Sequence, residues 1–529
     1  MRKTLPRFLS AILFCSPLLL AQTAVTTYQY DNSRSGANTH ESTLTTSNVN
    51  ASRFGKLAVF SVQGYVYAQP LYVPQLVIGG TAHNVLFVAT EHDQVYAFDV
   101  NSRQQLWHAN FLLSTSLFVQ VNPVSPGDVN CNDLSPEIGI TGTPVIDTAT
   151  NTMYVVARTK EFNTQTHLTK FFHRLHALDI TTGQDKVAPR TIVAVARGNG
   201  TGSIGGTITF NPLVQGQRGS LLLADGQVFA SWAALCDLGT YHGWLMSFDK
   251  TSLSPTGVLI DTPNGAEGGF WGGGSGPAAD ANGAIFAGTG NGTFSANSGG
   301  TDYGDSVLRL NWSSSGITVR DYFTPWDQQS LDQNDLDVGS GGVVLLPDQS
   351  GPHPHLLLQS GKEGTIDLID RDNMGHWHSG NDSQIVQTLP FANGGIWGGE
   401  AFWNNNAYFG GMFDHLKAFA FNPQTELLST APTSVSPGVF FYPGPVPSVS
   451  SNGTSNGIAW VVQSDGYPSG SAVLRAYSAT NLGTELYNSQ QNAGRDQPGL
   501  AVKFVVPMVA DGHVFVPTQN QVAMFGLLN

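Results

Sequence analysis

Eight times along the chain a short apolar run is followed, after a polar turn, by a second one. The first run of each pair is built around VLFVAT, TMYVVA, QVFASW, AIFAGT, HLLLQS, NAYFGG, IAWVVQ and HVFVPT. Their central residues, Phe87, Tyr154, Phe229, Phe286, Leu357, Tyr408, Trp460 and Phe515, lie 51 to 75 residues apart and about 61 on average. The second runs are QVYAFD, RLHALD, WLMSFD, SVLRLN, TIDLID, LKAFAF, AVLRAY and QVAMFG, several of them ending in an Asp- or Gly-containing turn. Segments of small residues and proline, such as AQPLYV, GTPVID, GSGPAAD and VPMVADG, precede the first runs. A unit of this size cannot bury both its faces alone and must stack against its neighbours. Three strands plus a fourth leading onward, repeated eight times, predict an all-β, eight-bladed β-propeller of four-stranded blades. The last unit ends at its third strand, QVAMFGLLN, while KLAVFSV (56–62) stands unused ahead of the first. That N-terminal strand is expected to close the ring and cover the open edge.

Residues 1–21 read as a secretory signal. Arg2, Lys3 and Arg7 are followed by an apolar run over 8–20 and by Ala21 as the small residue before cleavage. The run is shorter than the roughly 20 residues needed to span a bilayer, so no membrane span is expected, residues 22–529 form a single propeller domain, and the protein is secreted or periplasmic. Charged residues are only 12% of the chain and glycine is 60 of 529, yet 41% are hydrophobic. That balance suits an extracellular β protein better than a disordered one. Without the signal, 21 basic residues face 38 acidic ones, a net charge of −17, which argues against nucleic acid and anionic membranes as partners. Cys131 and Cys236 then remain. In an oxidising compartment one disulfide is expected, two buried thiols being the alternative.

The repeats VYAFD and LHALDITTG resemble those of the quinoprotein alcohol dehydrogenase superfamily, whose catalytic members bind pyrroloquinoline quinone (PQQ) and Ca²⁺. The resemblance spans nearly the whole mature chain as architecture and carries over to single residues where motifs match. FAGTGN resembles the segment bearing the calcium-binding asparagine and assigns that role to Asn291. Trp271 in GGFWGGGSGP is placed like the tryptophan that stacks on the quinone. TPWDQQSLDQNDLDVGSGGVVLLP resembles the stretch with the catalytic base, here Asp335 or Asp337. Lys362 in SGKEGTIDLID matches the cation touching the quinone oxygens, and Asp237 in ALCDLGTYHGWLMSFD stands where the family has a calcium-binding glutamate. Departures are equally specific. Gln69 in YAQPLYV replaces a quinone-contacting glutamate, the adjacent cysteine pair of the family is missing, and no CxxCH haem site exists.

Each of these residues also has a plainer use. Asn291 is a turn residue or, with Thr293, a glycosylation sequon; Trp271 can plug the centre of a propeller; Asp335 and Asp337 lie in a polar loop with Asp332 and Asn334. Glu137, ahead of an inner strand, is a reserve candidate for ligand contact. The pairs His353/His355 and His376/His378 lack the further ligands of a zinc site. No G-x-S-x-G, phosphate loop or dinucleotide fingerprint is present. Two functions are therefore expected as alternatives. One is a quinoprotein-like oxidoreductase acting on a small alcohol, sugar or polyol with PQQ and Ca²⁺. The other is a non-catalytic propeller binding a protein or glycan partner, as the superfamily's outer-membrane assembly lipoproteins do.

Overall fold

A computed structural model describes residues 23–114 and 116–528; the expected signal at 1–21 lies outside the described residues. The paired runs form strands that assemble into eight small sheets, the eight-bladed propeller. Blade 1 is Leu71–Ile78, Thr81–Thr90, Gln94–Asp99 and Gln105–Asn110; blade 2 is Val145–Asp147, Thr152–Asn163, Thr169–Asp179 and Arg190–Thr191. Blade 3 is Leu222–Ala224, Gln227–Ala234, Trp244–Asp249 and Pro255–Ile260; blade 4 is Ala278–Ala279, Ile285–Gly288, Val307–Ser313 and Gly316–Phe323. Blade 5 is Val343–Leu345, Leu356–Ser360, Ile366–Asp370 and Gln387–Leu389; blade 6 is Ala401–Trp403, Asn406–Gly410 and Asp414–Asn422, edged by Leu427–Leu428 and Ser434–Phe440. Blade 7 is Ser448–Asn452, Ser455–Gln463, Val473–Ser478 and Asn481–Asn488.

Blade 8 closes the ring. Met508–Ala510 pairs with the first part of His513–Leu527, and the second part of that strand pairs antiparallel with Phe54–Tyr65. The pairing of Phe54 with Leu527 and of Phe60 with Val522 is the closure expected from KLAVFSV. The core lies between blades rather than within one: Leu222, Phe229 and Leu245 of blade 3 pack on Ile285, Ala287 and Leu308 of blade 4. Each blade thus buries both faces only because it has two neighbours. The DITTG turn of blade 2 shows how the blades lock. Gly183, at φ 74°, lies beneath the Trp107 indole of blade 1, where a Cβ would overlap the ring. Trp107 Nε1 donates to the Ile180 carbonyl at 2.8 Å.

Residues 25–41, which carry no apolar period, make a second closure. They run across one end of the central channel and bond to the inner strands of all eight blades. Val25 exchanges backbone hydrogen bonds with Tyr72; the carbonyls of Thr26, Asn32, Ser33, Ser35 and Gly36 accept from Ile146, Ala279, Leu345, Phe402 and Val449. Asn32 Nδ2 reaches the Leu223 carbonyl, and Asn38 Nδ2 that of Val509. Ala37–Asn38 also adds a parallel strand to the inner edge of blade 7. Inner-strand edges that would otherwise leave donors and acceptors unpaired at the axis are satisfied by this one segment. At its middle Arg34, 0% exposed, donates to the carbonyls of Tyr28, Leu221 and Pro277 and to Thr27 Oγ1.

Candidate functional site

The opposite end of the channel is open. There the loops entering the inner strands and the turns leaving the second strands of blades 3 to 5 enclose a cavity of about 460 Å³, within the range of small-molecule sites. Asp237, Trp271, Asn291, Asp335, Asp337 and Lys362 all line it, although 125 positions separate the first from the last in sequence.

Asn291 follows the strand Ile285–Gly288. Its backbone N–H donates to Asp337 Oδ1 and its Nδ2 to Asp335 Oδ1, both at 2.8 Å. The residue before it must be glycine, because a Cβ on Gly290 would overlap Asp337 Oδ1. The opposite atom of the Asn291 amide, Oδ1, is buried without a hydrogen-bond partner. Lys362 leaves the strand Leu356–Ser360 and puts its ammonium 2.5 Å from both Asp335 Oδ1 and Asp337 Oδ2. Burial works to lower the Lys362 pKa, but Asp337 and Asp335 outweigh it and hold the group above its ordinary value. Asp337 is the shielded member of the pair, 9% exposed against 67% for Asp335.

Asp237 sits in the turn after Gln227–Ala234, with φ 51° and with Cys236 before it at φ 53°. Two consecutive non-glycine residues in the left-handed region cost strain that the surroundings must hold, and here a disulfide does so: Cys236 is bonded to Cys131, Cα–Cα 5.8 Å. Tyr241 donates to Asp237 Oδ1 at 3.1 Å. Burial, then the charges of Asp337 and Asp335, push the Asp237 carboxyl up; it is a carboxylate short of positive charge.

Trp271 forms part of the wall. The Arg218 guanidinium carbon lies 5.2 Å from its ring centre and 4.1 Å from that of Phe504, and the Lys362 ammonium is 5.7 Å from Trp271. Arg218 and Lys503 share Asp133, at 2.8 and 2.6 Å. Against the effect of burial, these two cations bring Asp133 down to about 2. Arg218 Nη2 is buried and unpartnered. Sequence reading missed Arg218, Asp133, Lys503 and the aromatic residues Trp397, Tyr442 and Phe504 beside them. They come from the loops entering blades 2, 3, 6, 7 and 8, and no local motif marks them.

The structure does not bring Gln69 into this group. Its side chain is committed to the segment across the other end of the channel, accepting from the Gln29 N–H at 3.0 Å and donating to the Thr27 carbonyl at 3.3 Å. Glu137 is likewise elsewhere, 2.7 Å from His92 Nδ1. His353, His355 and His376 each face a single aspartate, Asp370, Asp372 and Asp321. Among the described residues no three His, Cys, Asp or Glu side chains converge to hold a metal ion, so an ion between Asp237 and Asn291 would take its remaining ligands from other oxygens, of a bound ligand, backbone carbonyls or water. The two groups fit that demand: a carboxylate lacking countercharge and a buried amide oxygen lacking a donor are hard oxygen ligands of the kind Ca²⁺ takes. An anionic planar ligand is matched by Trp271, Arg218 and Lys362.

The chain is thus a closed eight-bladed ring with an axial cavity on one face. Among solved structures, the chain is similar to a quinohemoprotein alcohol dehydrogenase from Comamonas testosteroni, with TM-score 0.60 and 14% identity over 96% of this chain and 81% of that one. It is also similar to the quinohemoprotein alcohol dehydrogenase ADHIIG from Pseudomonas putida HK5, with TM-score 0.55 and 12% identity over 96% and 80%. A europium-containing methanol dehydrogenase matches with TM-score 0.57 and 12% identity over 96% and 98%. At these identities the likeness establishes the fold. By sequence, no protein-family model and no curated protein matches. No helix among the described residues is long and apolar enough to cross a membrane.

Proposed function

We propose that the protein is an exported quinoprotein-like oxidoreductase that binds PQQ and Ca²⁺ in the axial cavity and oxidises the hydroxyl of a small alcohol, sugar or polyol. The observation that carries this reading is the gathering of Asp237, Trp271, Asn291, Asp335, Asp337 and Lys362 around one cavity. When bound, the quinone and its ion supply the two-electron acceptor and its Lewis-acid activation. The chain's own residues do the rest. Asp237 and the free Oδ1 of Asn291 hold the ion, Trp271 offers a flat apolar face, and Arg218 and Lys362 neutralise a planar anion. Asp337 is the better proton acceptor of the two candidates. It is enclosed by the cavity, held in place by the Asn291 N–H and the Lys362 ammonium, whereas Asp335 is largely exposed to solvent. Deprotonating a substrate hydroxyl then needs only a short transfer to the Asp337 carboxylate.

A second reading draws on the mouth of the same cavity. Phe413, Phe441 and Tyr442 are exposed there, with the rings of Phe413 and Phe441 5.8 Å apart. Such a rim suits a non-catalytic propeller that binds a protein or glycan. Fluorescence titration and thermal shift of the purified chain with PQQ, with and without Ca²⁺, separate the two, followed by dye-coupled oxidation of alcohols and sugars. Calcium-dependent PQQ binding that is lost in Asn291→Ala supports the enzyme. Absence of both binding and turnover overturns it in favour of the second reading.

A further inference from the structure

A second cavity, of about 330 Å³, lies beside the first between blades 4 and 5 and shares the Leu336 wall with it. Four carboxylates line it, Asp327, Glu363, Asp367 and Asp382, together with two aromatic side chains, Trp326 and Phe391. No Lys, Arg or His among the described residues does. Asp367, on the strand Ile366–Asp370, forms the floor: it is 4% exposed and its Oδ1 has no hydrogen-bond partner. Burial, with Asp382, Glu363 and Asp327 adding to it against the Thr388 hydrogen bond, pushes Asp367 up to about 8. The other three acids are half-buried nearer the opening. Trp326 and Phe391 stand exposed at the mouth, and Phe391 holds φ 51° to do so. A bulky residue in the left-handed region is an outlier that marks a constrained position.

Acids at the mouth, an unpartnered acid at the floor that can ionise only beside a positive charge, and no countercharge in the lining call for a cation. The acids do not converge, since no three of them are set to hold one metal ion. Positive charge must instead be distributed along a stem, and aromatic faces at an opening attract ammonium groups through their quadrupoles. We propose that this cavity is a binding site for a linear aliphatic polyamine, with one ammonium on Asp367 and another among Asp327, Glu363, Asp382 and the rings of Trp326 and Phe391. The site stands apart from the proposed PQQ chemistry and is tested without cofactor.

Isothermal titration of the full chain with spermidine, at about 150 mM salt to screen diffuse attraction by the acidic surface, gives the readout. Saturable binding is expected, with quenching of Trp326 fluorescence. Asp367→Asn and, independently, the exposed-rim variant Trp326→Ala each weaken it about tenfold or more, while Asp348→Asn, a surface acid outside the cavity, leaves it unchanged. Maltose and Ca²⁺ alone are expected not to compete. Absence of binding at millimolar spermidine, equal affinity in all three variants, or displacement by maltose or Ca²⁺ would overturn the proposal.

Discussion

Replacing Lys362 with methionine keeps the length and the apolar stem but removes the ammonium between Asp335 and Asp337. Lys362 is 12% exposed and Asp337 9%, so the pair is largely shielded from solvent, and losing one partner leaves an uncompensated carboxylate in a cavity wall. Breaking a buried pair in this way costs about 3–5 kcal/mol. The Asp335 contact adds little, because an exposed partner is worth roughly 0–1 kcal/mol. An expected loss of about 3 kcal/mol corresponds to a fall in Tm of roughly 3 °C for a domain of about 500 residues. The double variant Lys362→Met/Asp337→Asn removes both charges while keeping an oxygen for the Asn291 N–H. It should recover all but about 1 kcal/mol, so the coupling between the two sites is about 2 kcal/mol plus whatever Asp337→Asn costs alone. Thermal unfolding of the four proteins of the cycle, followed by circular dichroism at one pH and ionic strength, measures it. A single Lys362→Met variant within 1 °C of the parent, or a double variant no better than the single, would refute the shielded pair on which the assignment of Asp337 rests.

Two further outcomes follow from groups away from the cavity. Arg34→Met should cost about 4 kcal/mol or more, since it strands three carbonyls and a hydroxyl at the axis and each orphan costs about 1–3 kcal/mol; an unchanged urea midpoint would contradict the sealing role of residues 25–41. Burial pushes Glu91 up to about 7, against the bonds it accepts from the Gly139 N–H and Thr141. The folded state therefore holds a proton that the unfolded chain releases near 4.5. Stability should fall as pH rises from about 4.5 to about 7, with Glu91 contributing about 3 kcal/mol of that fall. Asp261, pushed by burial to about 7 as well, acts in the same direction. Glu91→Gln should flatten the fall in Tm across this window, and a Tm that rises with pH in the parent would overturn the assignment.

Blade number, strand pairing and ring closure were legible in the sequence because each rests on apolar runs of repeating order. Phe229 or Leu357 must be buried, and a propeller buries them in a fixed register. The segment 25–41 carries no such signal. It is held by carbonyls and polar side chains, and backbone groups look alike in every sequence. For the same reason Gln69 was read against a motif and not against Gln29 and Thr27, which use up its amide. Within the cavity, residues beside a glycine-framed turn, Trp271, Asn291 and Lys362, were visible, as was the pairing of Cys131 with Cys236. Arg218, Lys503 and Asp133 were not, since only the closed ring makes neighbours of residues 133 and 503.

The two closures also set an order of events. Phe54 waits for Leu527, and Asn38 for Val509; these two contacts form only once residues more than 400 positions further on have been made. Contacts that close loops of more than 400 residues form late and slowly. Until residues 521–527 emerge, seven blades stand as an open arc, with the strand Phe54–Tyr65 unpaired and the axial channel unsealed. Until the ring closes, the chain therefore presents bare β edges at both ends of its arc. These edges are where a second copy, or a chaperone, has its opportunity.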